Sequence, residues 1–122
     1  MAQILSLQSI TKVSKLIAAL PDVQNDTRLP ADPPSGNIEN GQKIYSACSA
    51  CHGADGAGNA QSNAPNLASQ NSWYLEVQLN NFRKQTRGTD SADTYGMQMR
   101  AATLTLKSDQ DVMDVLAYIN SL

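Results

Sequence analysis

Large flat apolar side chains are scarce in this chain. One Trp, one Phe and four Tyr are its only aromatics, 5% of 122 residues, and a domain of this size needs some other bulky apolar body to complete its core. A basic excess is missing too. Nine Lys and Arg face eleven Asp and Glu, a formal charge of -2, which argues against nucleic-acid binding. No apolar run approaches the ~20 residues of a membrane span, so no transmembrane segment is expected. Residues 1–20 do not read as a secretory leader, because Gln3, Gln8, Thr11, Lys12 and Lys15 interrupt the apolar positions. There is a single histidine and there are two cysteines, too few Cys/His ligands for a four-ligand structural zinc site.

Those three residues stand together as Cys48-Ser49-Ala50-Cys51-His52. C-x-x-C-H is the spacing of covalent haem attachment. The two-residue gap lets one helical turn present both thiols to one edge of the macrocycle, each forming a thioether to a vinyl group. The adjacent histidine then ligates the iron. One covalent haem c with its iron is therefore the expected cofactor, and it supplies the missing apolar body. A dithiol redox centre would instead open a helix after a strand, whereas this motif closes a helical stretch. Haem attachment belongs to the oxidising periplasm, so a periplasmic location is expected.

The pattern is helical throughout. Residues 1–20 form an amphipathic helix, with Ile4, Leu7, Ile10, Val13, Leu16, Ile17 and Leu20 at three- and four-residue steps. Residues 21–37 hold four prolines and three aspartates and read as a linker. Residues 38–122 are the domain proper. A helix over 38–51 carries Ile38, Gly41, Ile44 and Tyr45 on one face. Glycine costs about 1 kcal/mol against alanine in a helix, and close approach of another helix explains Gly41. Gly53, Gly56 and Gly58 open a loop running to Asn63. Residues 71–86 form a helix with a basic end, stopped by Gly88. Residues 89–107 read as irregular and hold Met97 and Met99. Ser108, with Asp111 at capping-box spacing, opens the last helix. Its core stripe is Val112, Val115, Leu116 and Ile119, and Asp109, Asp111 and Asp114 favour its positive pole.

The first helix echoes the last. At an offset of 99 residues, Leu5, Leu7, Ser9, Val13 and Ala18 match Leu104, Leu106, Ser108, Val112 and Ala117. Periodicity does not demand the shared Leu-x-Leu-x-Ser lead-in. Residues 1–20 are thus expected to be the remnant or copy of the closing helix of a preceding domain. If they compete for the last helix's seat, a swapped dimer replaces the monomer.

With no second histidine, thioethers are the candidates for a second axial ligand: Met1, Met97, Met99 and Met113. Methionine opposite histidine raises the haem potential. Met1 is remote in sequence and Met113 lies beside the core stripe, which leaves Met97 and Met99.

From residue 38 to 122 the chain resembles the class I cytochromes c, and looks closest to single domains of bacterial di-haem members and to domains fused to respiratory enzymes. The resemblance is carried by Gly41 and Tyr45 ahead of the motif, then Gly53-Ala54-Asp55-Gly56, Ala64-Pro65-Asn66-Leu67 and Trp73-Tyr74-Leu75. Gln78-Leu79 with Phe82, Arg87-Gly88 and Leu116-Ala117-Tyr118-Ile119 follow in that family's order. It implies an all-α class I cytochrome c fold wrapped around one covalent c-type haem. Cys48 and Cys51 would bond the haem and His52 would be the proximal ligand. Pro65, through its backbone or the preceding carbonyl, would orient the imidazole. Gly41 and Tyr45 would pack where the first and last helices cross. Met99, seven residues before Leu106, fits the family's distal ligand, and Met97 is two residues off register. The chain departs from the family in lacking a proline after this region and in carrying a second methionine, so Met97 stands as the alternative.

The expected function is one-electron transfer in a respiratory chain, with redox proteins as donor and acceptor. Arg83, Lys84, Arg87 and Arg100 are either a steering patch for an acidic partner or a solvated helix end. A haem peroxidase needs an open distal side, and the chain offers no distal histidine and no acid–base pair, so no enzyme activity is expected. The remaining reading is an electron-relay module from a larger di-haem or fused respiratory protein.

Overall fold

A computed structural model describes residues 6–19 and 34–122. Its helices are α1 (Leu7–Ala18), α2 (Ile38–His52), α3 (Ser72–Arg83), α4 (Thr94–Ala102) and α5 (Asp109–Asn120), with a 3-10 turn at Thr103–Thr105. Among the described residues, extended pairing is limited to one isolated bridge between Asn59 and Ala64. The architecture is all-α, as the periodicity predicts. None of these helices is long and apolar enough to cross a membrane.

The core is organised on α5. Ser108 Oγ accepts from the Asp111 N–H at 3.1 Å, and the Asp111 carboxylate accepts from the Ser108 N–H at 3.2 Å, the reciprocal cap its spacing predicts. Val112, Val115, Leu116 and Ile119 are buried, but so are Asp114 and Ala117 on the other faces. α5 is enclosed nearly all round because both α2 and α3 pack on it. The Tyr45 ring of α2 lies 5.2 Å from that of Tyr118 on α5. At Gly41 the α5 backbone comes so close that a Cβ would collide with the Asp114 carbonyl. Close approach, not tolerance, accounts for this helical glycine.

Asp114 departs from its expected role at the helix pole. It is 4% exposed and accepts from the Asn37 N–H at 2.7 Å, Asn40 Nδ2 at 2.7 Å and Gln110 Nε2 at 2.8 Å. Asn37, within the stretch read as linker, is therefore anchored on α5. These donors, the Asn37 N–H foremost, hold the carboxyl below its ordinary range against the opposing effect of burial. Its stabilisation is thus fully present above the unfolded pKa of about 3.9 and is lost as pH falls through the lower folded value. Asp114→Asn is expected to cost about 1–3 kcal/mol at neutral pH, because buried donors lose their acceptor. Thermal melts across pH 2–7 should also show a shallower acid decline in the variant. An unchanged melting temperature at pH 7 would contradict this role.

Two elements differ from the sequence reading. α3 ends at Arg83, three residues early, where Gln85 takes a left-handed φ of 60° and the Thr86 and Arg87 N–H groups return to the Asn81 carbonyl at 2.9 and 3.1 Å. Gly88 is not the helix stop. It sits at φ 76° against α4, where a Cβ would collide with the Gly96 carbonyl. Second, residues expected to be irregular form α4, capped by Asp93 Oδ1 accepting from the Gly96 N–H at 2.8 Å. Glycine, threonine and tyrosine give this run weak helix propensity; its cap and its packing on α3 decide otherwise.

Ser6 caps α1, its Oγ accepting from the Ser9 N–H at 3.1 Å, one turn before the Ser9 register suggested by the echo of Ser108. No residue of α1 is buried. Leu7, Leu16 and Ile17 are 83, 67 and 62% exposed, whereas their counterparts Leu106, Val115 and Leu116 are core residues. The ends of the expected 1–20 helix, most of the 21–37 stretch, and Met1 lie outside the described residues.

Candidate haem site

α2 continues one residue beyond the expected 38–51, so Cys48, Cys51 and His52 share its final turn. Both thiols are free and border a cavity of about 470 Å³, within the usual ~300–1,000 Å³ of a cofactor site. Burial, aided by neighbouring Cys51, pushes the Cys48 thiol up.

His52 is buried, 6% exposed. Its Nδ1 donates to the Pro65 carbonyl at 2.9 Å, which leaves the Nε2 lone pair free for a metal. The loop after α2 makes this contact possible. The Gly58 N–H bonds the His52 carbonyl at 2.8 Å, Asn59 and Ala64 exchange backbone bonds of 2.8 and 3.0 Å, and the Leu67 N–H reaches the Gly56 carbonyl at 2.7 Å. Tyr45 Oη donates to the Gly53 carbonyl at 2.7 Å. The chain is thereby folded back until Pro65's own carbonyl, rather than the preceding one, meets the imidazole.

Other walls come from α3, α4 and α5. Leu75, Gln78, Leu79 and Phe82 of α3 face the cavity at i, i+3, i+4, i+7 spacing, and Tyr95, Gln98, Met99 and Ala102 of α4 do the same. Helix formation separates the two candidate methionines. Two residues apart, they lie about 200° apart around the axis. Met99 lines the cavity; Met97 does not, and is 38% exposed. Met113 is on α5, also outside the lining.

These residues fit a haem. Two thiols and a free imidazole nitrogen sit on one wall and a thioether on another, the ligand set of a His/Met c-type haem. Apolar side chains from α3 and α5 complete the lining, and such walls favour an apolar occupant.

The basic residues do not form one patch. Arg83 pairs with Asp109 at 3.0 Å and with Asn80 at 2.9 Å. Arg83, Lys84 and Arg100 border an adjoining cleft of about 310 Å³, which shares Phe82, Thr103 and Leu106 with the cavity. Arg87 instead belongs to the haem cavity, with Nη1 donating to Gln78 Oε1 at 2.8 Å and its guanidinium 4.7 Å from the centre of the Phe82 ring. Sequence reasoning missed this placement because Gln78 and Arg87 are nine residues apart across a helix end, a spacing with no periodic signature.

A family model described as Cytochrome c matches residues 38–122. Cytochrome c4 of Pseudomonas aeruginosa is 40% identical over 76 residues, 62% of this chain and 36% of that protein. Cytochrome c-554(548) of Halomonas halodenitrificans is 34% identical over 88 residues, 71% of this chain and 98% of the relative. A thiosulfate dehydrogenase electron acceptor of Stutzerimonas stutzeri is 42% identical over 71 residues, 58% of this chain and 30% of the relative. The chain thus spans well under half the length of the first and third of these proteins.

Proposed function

Because the chain belongs to the cytochrome c family, we propose that residues 38–122 form a periplasmic one-electron carrier working between redox proteins of a respiratory chain. The chain carries one covalent haem c with its iron, which supplies a one-electron Fe(III)/Fe(II) couple when bound. Cys48 and Cys51 hold the macrocycle to the end of α2. His52, its Nδ1 committed to Pro65, would ligate the iron through Nε2, and Met99 would ligate it through its sulfur. With both ligands supplied by protein, no substrate would reach the iron, which favours a carrier over an enzyme. The apolar side chains of α3 and α5 exclude water around the ligands. The observation that carries this reading is the placement of Met99 and the C-x-x-C-H residues on the walls of one cavity.

The ligand assignment has a direct test. Met99→Ala is expected to abolish the long-wavelength thioether–iron absorption band of the oxidised protein, lower the midpoint potential, and let the reduced protein bind CO rapidly. Met97→Ala should leave all three unchanged. Retention of the band in Met99→Ala would overturn the assignment.

A second reading is favoured by α1. Its apolar stripe matches that of α5 yet has no buried residue, as expected of a closing helix whose own domain precedes it. The chain would then be an electron-relay module of a larger di-haem or fused respiratory protein. α1 is a poor substitute for α5 on a second copy of this chain: Lys15 stands where Asp114 would be, and an ammonium cannot accept from Asn37 and Asn40. This favours a monomer over a swapped dimer. An upstream open reading frame with a second C-x-x-C-H supports the relay; its absence in the gene counts against it.

A further inference from the structure

We propose that the cleft bordered by the ends of α3 and α4 binds a doubly charged tetrahedral oxyanion of the phosphate or sulfate class, and that its occupancy lowers the haem potential. Arg83, Lys84 and Arg100 line this cleft of about 310 Å³, with Asp109 as its one carboxylate. Three cations against one carboxylate leave an excess of two positive charges, matching a doubly charged ion. Binding there does not require haem; the coupling to the potential rests on the haem reading above.

Each cation taken singly suits the negative pole of its helix. Arg83 stands in the last turn of α3, Lys84 follows it, and Arg100 stands in the last turn of α4. Pole compensation does not require that the three meet at one cleft, and it leaves donors uncommitted. Arg100 Nε is buried and has no hydrogen-bond partner among the described residues. Buried donors are seldom left so, because a desolvated N–H loses its bonds to water and gains nothing in return. Arg83 makes both its bonds, to Asn80 and to Asp109, through Nη1. Its Nη2 donors are uncommitted among the described residues. The Asp109 side chain is 97% exposed, so its opposing charge is screened by solvent and salt.

Guanidinium forks match the oxygen spacing of phosphate and sulfate, a fit that spherical chloride lacks. A buried donor also favours a small free ion over a carboxylate carried on a folded partner, which approaches only from outside. The cleft shares Phe82, Thr103 and Leu106 with the haem cavity, and Arg100 follows Met99 in α4. An anion held behind those shared walls favours the oxidised, more positive iron. By linkage, the oxidised protein binds the anion more tightly than the reduced protein by the same factor.

The test titrates the haem-loaded protein with inorganic phosphate and with sulfate, at ionic strength held constant with chloride, and reads binding by calorimetry. The oxidised protein is expected to bind either with a Kd on the order of 1 mM. Arg100→Gln should weaken binding about tenfold and Lys84→Gln about threefold. Lys43→Gln, which removes the same charge from α2 outside the cleft, should leave it unchanged. Saturating phosphate should lower the midpoint potential by about 28 mV, which is about threefold tighter binding to the oxidised form at about 59 mV per decade. Arg100→Gln should lose that shift. Absence of binding above the chloride background, or equal weakening in Arg100→Gln and Lys43→Gln, overturns the site. Should Arg100→Gln fail to fold, undiminished binding in Lys84→Gln overturns it instead. Binding that leaves the potential unmoved overturns the coupling. Failure of the haem reading itself would show separately, as an unaltered chain without covalent haem on a denaturing gel that still binds phosphate.

Discussion

The Cys48→Ala/Cys51→Ala double variant is expected to lose all haem staining on a denaturing gel, while either single variant keeps it with an altered reduced spectrum. One thioether suffices to retain the group, but the remaining vinyl stays conjugated and shifts the main visible band. Stability should fall as well. Ligated as proposed, the haem would link the end of α2 to Met99 on α4, elements on different walls of the cavity. In that respect it acts as a cross-link, and loss of a native disulfide cross-link costs ~2–5 kcal/mol. At roughly 4–8 °C per kcal/mol for a domain of this size, the melting temperature should drop by about 8 °C or more. A double variant that keeps its haem through denaturation would remove the thioether assignment altogether.

Gly41→Ala should be nearly as damaging, although it adds one methyl group to a helix and alanine is the better helix former. Local propensity alone gives the opposite sign, a gain of ~1 kcal/mol. The new Cβ would run into the main-chain carbonyl of Asp114, which no rotamer change can move aside. Overpacking of this kind costs ~1–3 kcal/mol and more where backbone must shift. Here the shift would also pull Asn37 and Asn40 away from the Asp114 carboxylate. The expected result is a fall in melting temperature on the order of 10 °C by circular dichroism. A rise would show that propensity outweighs the helix crossing.

These two sites differ in how far the sequence exposed them. Cys48, Cys51 and His52 are legible without any structure, because covalent attachment and iron ligation are short-range requirements satisfied within one turn of helix. The capping box of α5 and its stripe are equally local. Gly41 was legible only as an anomaly needing a close neighbour. Its neighbour, the Asp114 carbonyl, lies 73 residues away. Asp114 itself read as one more acid near a positive pole. Its burial depends on Asn37 and Asn40 arriving from α2, and nothing in the periodicity of α5 records that.

The methionines mark the same limit. The resemblance named Met99 by register, while residues 89–107 read as irregular. In a loop both thioethers would stay in reach of the iron. α4 forms because Asp93 caps it and α3 packs on it, and the helix then turns Met97 about 200° away from Met99. Likewise Arg87 read as part of a basic helix end until the early stop of α3 at Arg83 placed it beside Gln78 and Phe82.

By itself, then, the sequence determined the cofactor, its attachment, the all-α class and the family. Each follows from residue types at fixed short spacing, where covalent geometry and helical periodicity leave little choice. Tertiary structure alone decided which methionine faces the haem cavity, which carbonyl orients His52, and which basic residue lines that cavity. Those outcomes depend on long-range packing, since a helix end or a crossing is set by what the chain meets from elsewhere.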